Sequence, residues 1–574
     1  MARWLGILIA WFSLLTVPAR DCRAEVDQAF DHAVVAADHE EASKAGVEIL
    51  KKGGNAVDAA VATAFALAVV RPASCGLGGG GFMLIWDAKK KRAVALDYRE
   101  RAPARAARSM YVDPRDASKT MPDASEHGCL AVAVPGEVAG LCYALREFGT
   151  LDLKTVLAPA IRLCREGVLI DRHDLVVQKD VLKDFATHPD YADRFAALLR
   201  LYANNGRPWK TGERFHSPLA RILGLISEKG HDGFYRGEVA EAIVAEMKRG
   251  GGVVTLDDLA AMKPVVREPL KGMIGSRTIL TMPPPSSGGV ALLETLNIIS
   301  AVEARHPEVK LDQLGTESPL YLHVIAESFK HAFADRAAWL GDADFAQVPV
   351  ERLTSRDYAV ELARRVDLTR TQPPAAYGRF TTPDDGGTSH FSILDAQGNA
   401  VACTETINTH FGSYVVEPTF GIVLNNEMDD FTSLPGVPNA FGLIQSEANS
   451  IEPGKRPLSS MTPTILIRDG RAEFVLGASG GPRIITATVQ VLLNMVRFEK
   501  TAAQAVGAPR IHHQWTPDQL DVESSQIPAS RLAALGHKIV NTGDHGVIQA
   551  AYRDRDGKIH GASDGRKGGR EAGY

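Results

Sequence analysis

The chain has 574 residues, 45% of them hydrophobic and 23% charged, with a formal net charge of -5. This is ordinary globular composition at a length that allows a large core or two, and it excludes a chain disordered as a whole. So small a charge leaves no electrostatic footprint for nucleic acid or an anionic membrane, which favours a small-molecule substrate.

At the start of the chain Arg3 precedes an apolar run from Trp4 to Val17, and Cys22 and Ala24 are small residues at the minus-three and minus-one positions of a cleavage site. A signal peptide is expected over residues 1–24, with cleavage after Ala19 as the second choice, so the mature protein is expected to be exported, periplasmic or secreted. The run is short for a membrane helix and no later segment is long and apolar enough to span, so no membrane span is expected after maturation. Asp21 before Cys22 argues against a lipid-modified cysteine. The mature chain would keep Cys75, Cys129, Cys142, Cys164 and Cys403, an odd number without metal-ligand spacing and in apolar neighbourhoods. They read as buried structural thiols.

Further on, Ala-rich text from Glu40 to Val70, broken by Gly53-Gly54-Asn55, predicts two packed helices and a turn. Gly76-Leu-Gly-Gly-Gly-Gly81 then leads into Phe82–Trp86 and Ala93–Tyr98, a hairpin pattern. Because these glycines precede a strand, they suit a tight backbone path or site wall better than a dinucleotide cradle. Residues 151–345 read mostly as amphipathic helix, including 320–340, and are expected to form a helical layer. Residues 371–387, Pro-rich and ending in Asp384-Asp-Gly-Gly387, read as an exposed loop. The text then changes abruptly: 388–395, the turn Ala396-Gln-Gly-Asn399, and 400–407 predict a β-hairpin. A strand at 421–425, another at 472–476 and a helix at 483–496 follow.

Two places could carry a nucleophile. Gly477-Ala-Ser-Gly-Gly481 matches Gly-x-Ser-x-Gly between a strand and a helix, so Ser479 could be a serine nucleophile with Asp518 or Asp521 and His537, His545 or His560. The same turn could instead aim the Gly480 and Gly481 amides, at a helix N-terminus, as an oxyanion hole for another group. Thr388 is the other candidate: it follows two glycines at the end of a loose loop, where the Gly387 carbonyl can approach its hydroxyl for self-cleavage. His512-His513 diverge and lack a third ligand at a useful spacing, so they read as structural and no metal is expected. A secreted binding protein that keeps the scaffold without catalysis is the remaining class.

Thr388-Ser-His-Phe-Ser, Asn408-Thr-His-Phe-Gly412, Leu424-Asn-Asn-Glu-Met-Asp-Asp-Phe431, Pro435-Gly-Val-Pro-Asn439, Lys455-Arg-Pro-Leu-Ser-Ser-Met461 and Gly480-Gly481 occur in one order and spacing. Together they resemble the small subunit of γ-glutamyltranspeptidases. Upstream, Gly78-Gly-Gly-Gly-Phe82 and Asp97-Tyr-Arg-Glu-Arg-Ala-Pro103 resemble the large subunit, and the likeness runs from about residue 30 to Ala572-Gly-Tyr574.

That resemblance implies an α+β chain with the four-layer αββα N-terminal-nucleophile hydrolase fold, built from a large subunit, 25–387, and a small subunit, 388–574, of one precursor cut between Gly387 and Thr388. It implies Thr388 as nucleophile, Thr406 as a supporting threonine and Gly480 and Gly481 as oxyanion donors. Arg99, Ser459 and Ser460 would take the substrate α-carboxylate, and Asn408, Glu427 and Asp430 its ammonium. Charge-assisted hydrogen bonds of this kind suit an amino-acid head group. The implied partners are glutathione and other γ-glutamyl donors with amino acid or peptide acceptors, in a heterodimer of the two subunits, with no cofactor. The sequence departs from the commoner pattern at Ser389, at Thr409-His410, and at Phe441, which stands where many bacterial members have a gating tyrosine in the lid-like segment 435–446.

Overall fold

The computed structural model describes residues 28–378, 388–434, 439–441, 443, 445–543 and 546–574. The expected signal peptide and Gly387 lie outside the described residues. Among the described residues no helix is long and apolar enough to cross a membrane.

The Ala-rich text folds as expected into helices Glu40–Lys51 and Ala56–Val70. Asn55 caps the second, its side chain accepting the Val57 and Asp58 amides while the Asp58 carboxylate takes the Asn55 amide. Every residue of Ala56–Val70 is buried, and a helix buried all round must lie between layers. Its small side chains let it pack against a sheet on one side and against helices Glu137–Phe148 and Leu153–Glu166 on others.

Two seven-stranded sheets form the centre. The first runs Ala572–Gly573, Val34–Ala37, Ser389–Leu394, Ala400–Thr406, Gly80–Asp87, Arg92–Asp97, Val265–Arg267, all neighbours antiparallel. The second runs Gln28–Phe30, Ile559–Ser563, Val547–Arg553, Arg471–Ser479, Thr464–Arg468, Arg277–Thr281, Leu270–Ile274, also antiparallel. Strand periodicity decides which core each side chain enters: Met83 and Ile85 join the core under Ala56–Val70, while Phe82, Leu84 and Trp86 join the core shared with the second sheet. The sheets meet face to face, and a Cβ at Gly477 would sit 2.3 Å from the His390 ring, so that position must stay glycine. Helices Gly288–Arg305, Pro319–Trp339 and Arg483–Val496 make the opposite layer. The order helix, sheet, sheet, helix is the expected four-layer α+β arrangement.

Three local expectations change. The stretch 151–345 is not one helical layer: its helices divide between both outer layers, and it supplies Val265–Arg267 to one sheet and Leu270–Ile274 and Arg277–Thr281 to the other. The expected strand at 421–425 shrinks to Ile422–Val423, paired only with Val416–Glu417. The described part of the 371–387 loop is half-buried and anchored, because the buried Lys330 ammonium needs acceptors and takes the Thr371 hydroxyl and the Gln372 carbonyl, both at 2.7 Å. Trp515 Nε1 adds a bond to the Pro374 carbonyl at 3.0 Å.

Candidate active site

Register brings the two threonines together. Ser389 lies opposite Glu405, so Thr388, just before one strand, faces Thr406 at the end of the next. Their hydroxyls are 3.3 Å apart, either one donating, and Thr406 Oγ1 also accepts the Asn408 amide at 2.8 Å. Thr388 is 5% exposed. Its carbonyl accepts from the Lys567 ammonium at 2.5 Å, and that ammonium also bonds Asp38 Oδ2 at 2.9 Å and Ser389 Oγ at 3.3 Å.

Gly480 and Gly481 turn the chain from strand Arg471–Ser479 into helix Arg483–Val496 with φ of 119° and 53°. Positive φ at both favours glycine, and the helix start adds a favourable field for negative charge. The serine alternative fares otherwise. Ser479 Oγ is 3.5 Å from Asp38, while Asp518 faces His513, Asp521 pairs with Arg483, His537 bonds His323 and His560 bonds Asp554. His545 lies outside the described residues. Among the described residues Ser479 therefore has no histidine base.

The residues expected to hold the head group converge, with one difference from expectation. Arg99 was assigned to the carboxylate end and Glu427 and Asp430 to the ammonium end, yet here the guanidinium bridges both acids, at 2.6 Å and 2.5 Å. Burial pushes the Glu427 and Asp430 carboxyls up, with the Arg99 charge opposing. The fork is aimed by its own backbone neighbourhood: Asp97 accepts the Arg99 amide at 3.0 Å, and the Pro457 carbonyl takes Nε at 3.3 Å. Ser459 Oγ accepts the Met461 amide at 3.1 Å. Asn408, at φ 79°, donates its side-chain amide to the Asn426 carbonyl at 3.1 Å. Arg99, Thr388, Thr406, Asn408, Asp430, Ser459, Ser460 and Gly481 all line one cavity. Glu427 and Gly480 stand just behind it, outside the lining. The Gly78 and Gly79 loop takes the tight backbone path that the glycine run suggested and is not part of the cavity lining: a Cβ at Gly79 would lie 2.0 Å from the Thr406 carbonyl, and one at Gly78 2.0 Å from that of Val423.

The sequence profile described as Gamma-glutamyltranspeptidase matches residues 42–574. The chain belongs to the γ-glutamyltranspeptidase family. It is 41% identical over 532 residues to the glutathione hydrolase proenzyme of Escherichia coli strain K12, covering 92% of this chain and 89% of that one. The glutathione hydrolase proenzyme of Pseudomonas aeruginosa is 42% identical over 531 residues, with 91% of each covered. Among solved structures, cephalosporin acylase from Bacillus halodurans superposes with a TM-score of 0.85 at 28% identity, over 98% of this chain and 99% of that one. The γ-glutamyltranspeptidase of Helicobacter pylori gives 0.54 at 37% identity, over 58% of this chain and 92% of that one.

In this γ-glutamyltranspeptidase family member the lid-like segment touches the site differently from the expected tyrosine. Phe441 is buried and lines the cavity, with no hydroxyl to offer. The polar link runs instead from Asn439, whose amide donates to Asp430 Oδ1 at 3.0 Å. Sequence reasoning also missed Lys567, Asp38 and Arg336. Lys567 stands in the glycine-rich Asp564-Gly-Arg-Lys-Gly-Gly569, which signals a special backbone path but not a partner, and Arg336 hides in an amphipathic helix pattern.

One further cluster was missed. His323 and Glu327, a turn apart on Pro319–Trp339, meet His537, so metal-type donors come together. Glu327 already accepts Thr371 at 2.5 Å and Tyr377, with Lys330 at 3.5 Å. With an ammonium beside it, the cluster serves to hold residues 371–378 against the body. The five cysteines are all free, and burial pushes Cys129, Cys142 and Cys164 up to about 12, so they are inert thiols.

Proposed function

We propose that this chain is a self-cleaving γ-glutamyl hydrolase and transferase in which Thr388 is the nucleophile of both maturation and turnover. The observation that carries this is the meeting in a single cavity of Thr388, Gly481 of the helix-start turn, and the Arg99 guanidinium with Asp430, with Glu427 paired to the same guanidinium behind it.

In maturation the Thr388 hydroxyl attacks the Gly387 carbonyl, the acyl group shifts from nitrogen to oxygen, and water hydrolyses the ester. This leaves a carboxylate on Gly387 and a free amine on Thr388. That amine, with an ordinary pKa of about 7.7 to 8.0, can take the hydroxyl proton near neutral pH without a histidine. In turnover the hydroxyl attacks the γ-glutamyl amide, the Gly480 and Gly481 amides stabilise the oxyanion, and the proton passes to the departing amine. Water or an amino-acid amine then resolves the γ-glutamyl ester, giving hydrolysis or transfer. The substrate carboxylate would take Arg99, Ser459 and Ser460, and its ammonium would take Asn408, Glu427 and Asp430, exchanging the internal pairing of Arg99 with both acids for pairing with the ligand.

Chains 25–387 and 388–574 would remain together as a heterodimer, since each sheet is built of strands from both. Export after signal cleavage would place the enzyme beside extracellular glutathione, and no cofactor is needed for these steps. The cephalosporin acylase likeness raises a glutaryl donor as a second choice. Glu427 and Asp430 speak against it, because a glutaryl group has no ammonium to offer buried carboxylates. The test is release of p-nitroaniline from γ-glutamyl and from glutaryl anilides by purified, two-chain protein. Turnover of the γ-glutamyl compound in preference is expected, and preference for the glutaryl compound would overturn the assignment.

A further inference from the structure

Behind Ser459 and Ser460 lies a second buried guanidinium. Arg336, in the last turn of helix Pro319–Trp339, is 2% exposed. Among the described residues no carboxylate comes within ion-pair distance of it, and Nη1 has no hydrogen-bond partner. Its other contacts are serines: Nε donates to Ser287 Oγ at 2.9 Å and Nη2 to Ser460 Oγ at 3.4 Å. Burial pushes this guanidinium down to about 10, which still leaves it charged at neutral pH.

A guanidinium has only donors, so both serine oxygens must accept from it and keep their own protons for something else. Ser287 spends its proton on the Ser459 carbonyl at 2.6 Å. Ser460 spends its proton on no described acceptor. Ser459 Oγ likewise accepts from behind, from the Met461 amide. Arg336 therefore fixes Ser460 directly and Ser459 through Ser287, and the pair is left with two hydroxyl protons for an acceptor in the cavity that both residues line. Asp430 favours this charge without touching it and the Arg99 charge opposes it, and a buried cation with no carboxylate in contact is costly unless an anion completes it. On the opposite side Arg99 is already shared by two acids, so its charge alone is a weak lure for a carboxylate.

We propose that Arg336 is a positioning residue for carboxylate recognition: it turns the Ser460 hydroxyl into a donor, holds the Ser459 main chain in place through Ser287, and supplies a positive charge with no carboxylate in contact that makes the site select donors bearing an α-carboxylate. This rests on the γ-glutamyl assignment above, and the test separates the two.

Arg336→Lys and Arg336→Gln are compared with the parent on γ-glutamyl-p-nitroanilide and on 4-aminobutyryl-p-nitroanilide, which keeps the ammonium and lacks the carboxylate. Single-turnover release is followed so that a slow donor still reads. For the Lys variant KM for the γ-glutamyl donor should rise roughly five- to thirtyfold with kcat changed less than about threefold, as for a lost charged hydrogen bond. The rate with the aminobutyryl donor should stay within about twofold. Adding Ser460→Ala to Arg336→Lys should cost little beyond Ser460→Ala alone, because the arginine acts through that hydroxyl. The Gln variant should show the larger loss.

Equal losses on both donors would assign Arg336 to packing and overturn the proposal, as would failure of both variants to mature into two chains. If the parent itself does not turn over the γ-glutamyl donor, the functional assignment falls and this inference with it. If the parent does and Arg336→Lys matches it, only this inference falls.

Discussion

A threonine hydroxyl attacks a carbonyl only when something takes its proton, and the Thr388 hydroxyl bonds another hydroxyl, on Thr406. Threonine is not a base at neutral pH, and on the proposed mechanism that role falls to the α-amine that cleavage would release. Thr388→Ala should therefore give a single uncut chain without turnover, whereas Ser479→Ala should still give two chains and substantial turnover, since Ser479 only ends the strand before the glycine turn. Denaturing gels and anilide assays on both variants check this; the reverse pattern would restore the serine alternative. Arg99→Lys keeps the charge and loses the fork, so the protein should mature normally while kcat/KM for γ-glutamyl donors falls roughly ten- to a hundredfold, about 1.5 to 3 kcal/mol. Steady-state kinetics on fully matured protein measure it, and unchanged values would remove Arg99 from the carboxylate site. At this scale motif order made Thr388, Arg99 and the Ser459 and Ser460 pair legible in the sequence. Arg336 and Lys567 were not, because a buried charge is defined by what surrounds it and those partners lie far away in sequence, Ser460 124 residues from Arg336.

Between elements, His390 shows what the sandwich demands. It projects from Ser389–Leu394 into the space between sheets, where Nδ1 meets the Thr404 hydroxyl at 2.8 Å and Nε2 the Ser392 hydroxyl at 3.2 Å. Burial pushes its imidazole down to about 3 from an ordinary 6.5, so the folded protein holds it neutral. The folded state then binds fewer protons than the unfolded state between those values. Its contribution to stability is complete above about pH 6.5 and is lost as pH falls toward 3, by about 1.4 kcal/mol per pH unit. In the uncut Thr388→Ala background, His390→Gln should flatten the dependence of unfolding free energy on pH between 6 and 4 by about one proton, measured by denaturant titration. Parallel slopes would mean that the imidazole is charged in the folded protein. The hairpins at 80–97 and 389–406 were legible because alternation and turn chemistry are both local. The strands at 265–281 were not: they are short and interrupted by Gly275, two of them sit at sheet edges, and the third, Arg277–Thr281, is made by pairing with the distant Thr464–Arg468 more than by local pattern.

Over the whole molecule, segments near residues 34–38 and 567–573 close on Thr388. Ala572–Gly573 pairs with Val34–Ala37, and just inside those strands the Lys567 ammonium joins Asp38 to the Thr388 carbonyl. Both charged residues are buried. Lys567→Met would leave Asp38 unpaired, which should cost about 3 to 5 kcal/mol and slow maturation. Asp38→Asn added to Lys567→Met should recover part of that stability, because no uncompensated charge then remains; a melting comparison of single and double variants decides, and simple additivity would deny the coupling. The four layers themselves were legible only through the family resemblance, since alternation within one segment cannot say which sheet a strand joins. The central claim is that this assembly cuts itself at one bond and uses the new end. Intact mass analysis of the purified protein tests it most directly. Two chains are predicted, the smaller beginning at Thr388 with a free amine, while an active full-length chain, or a smaller chain beginning at another residue, would contradict it.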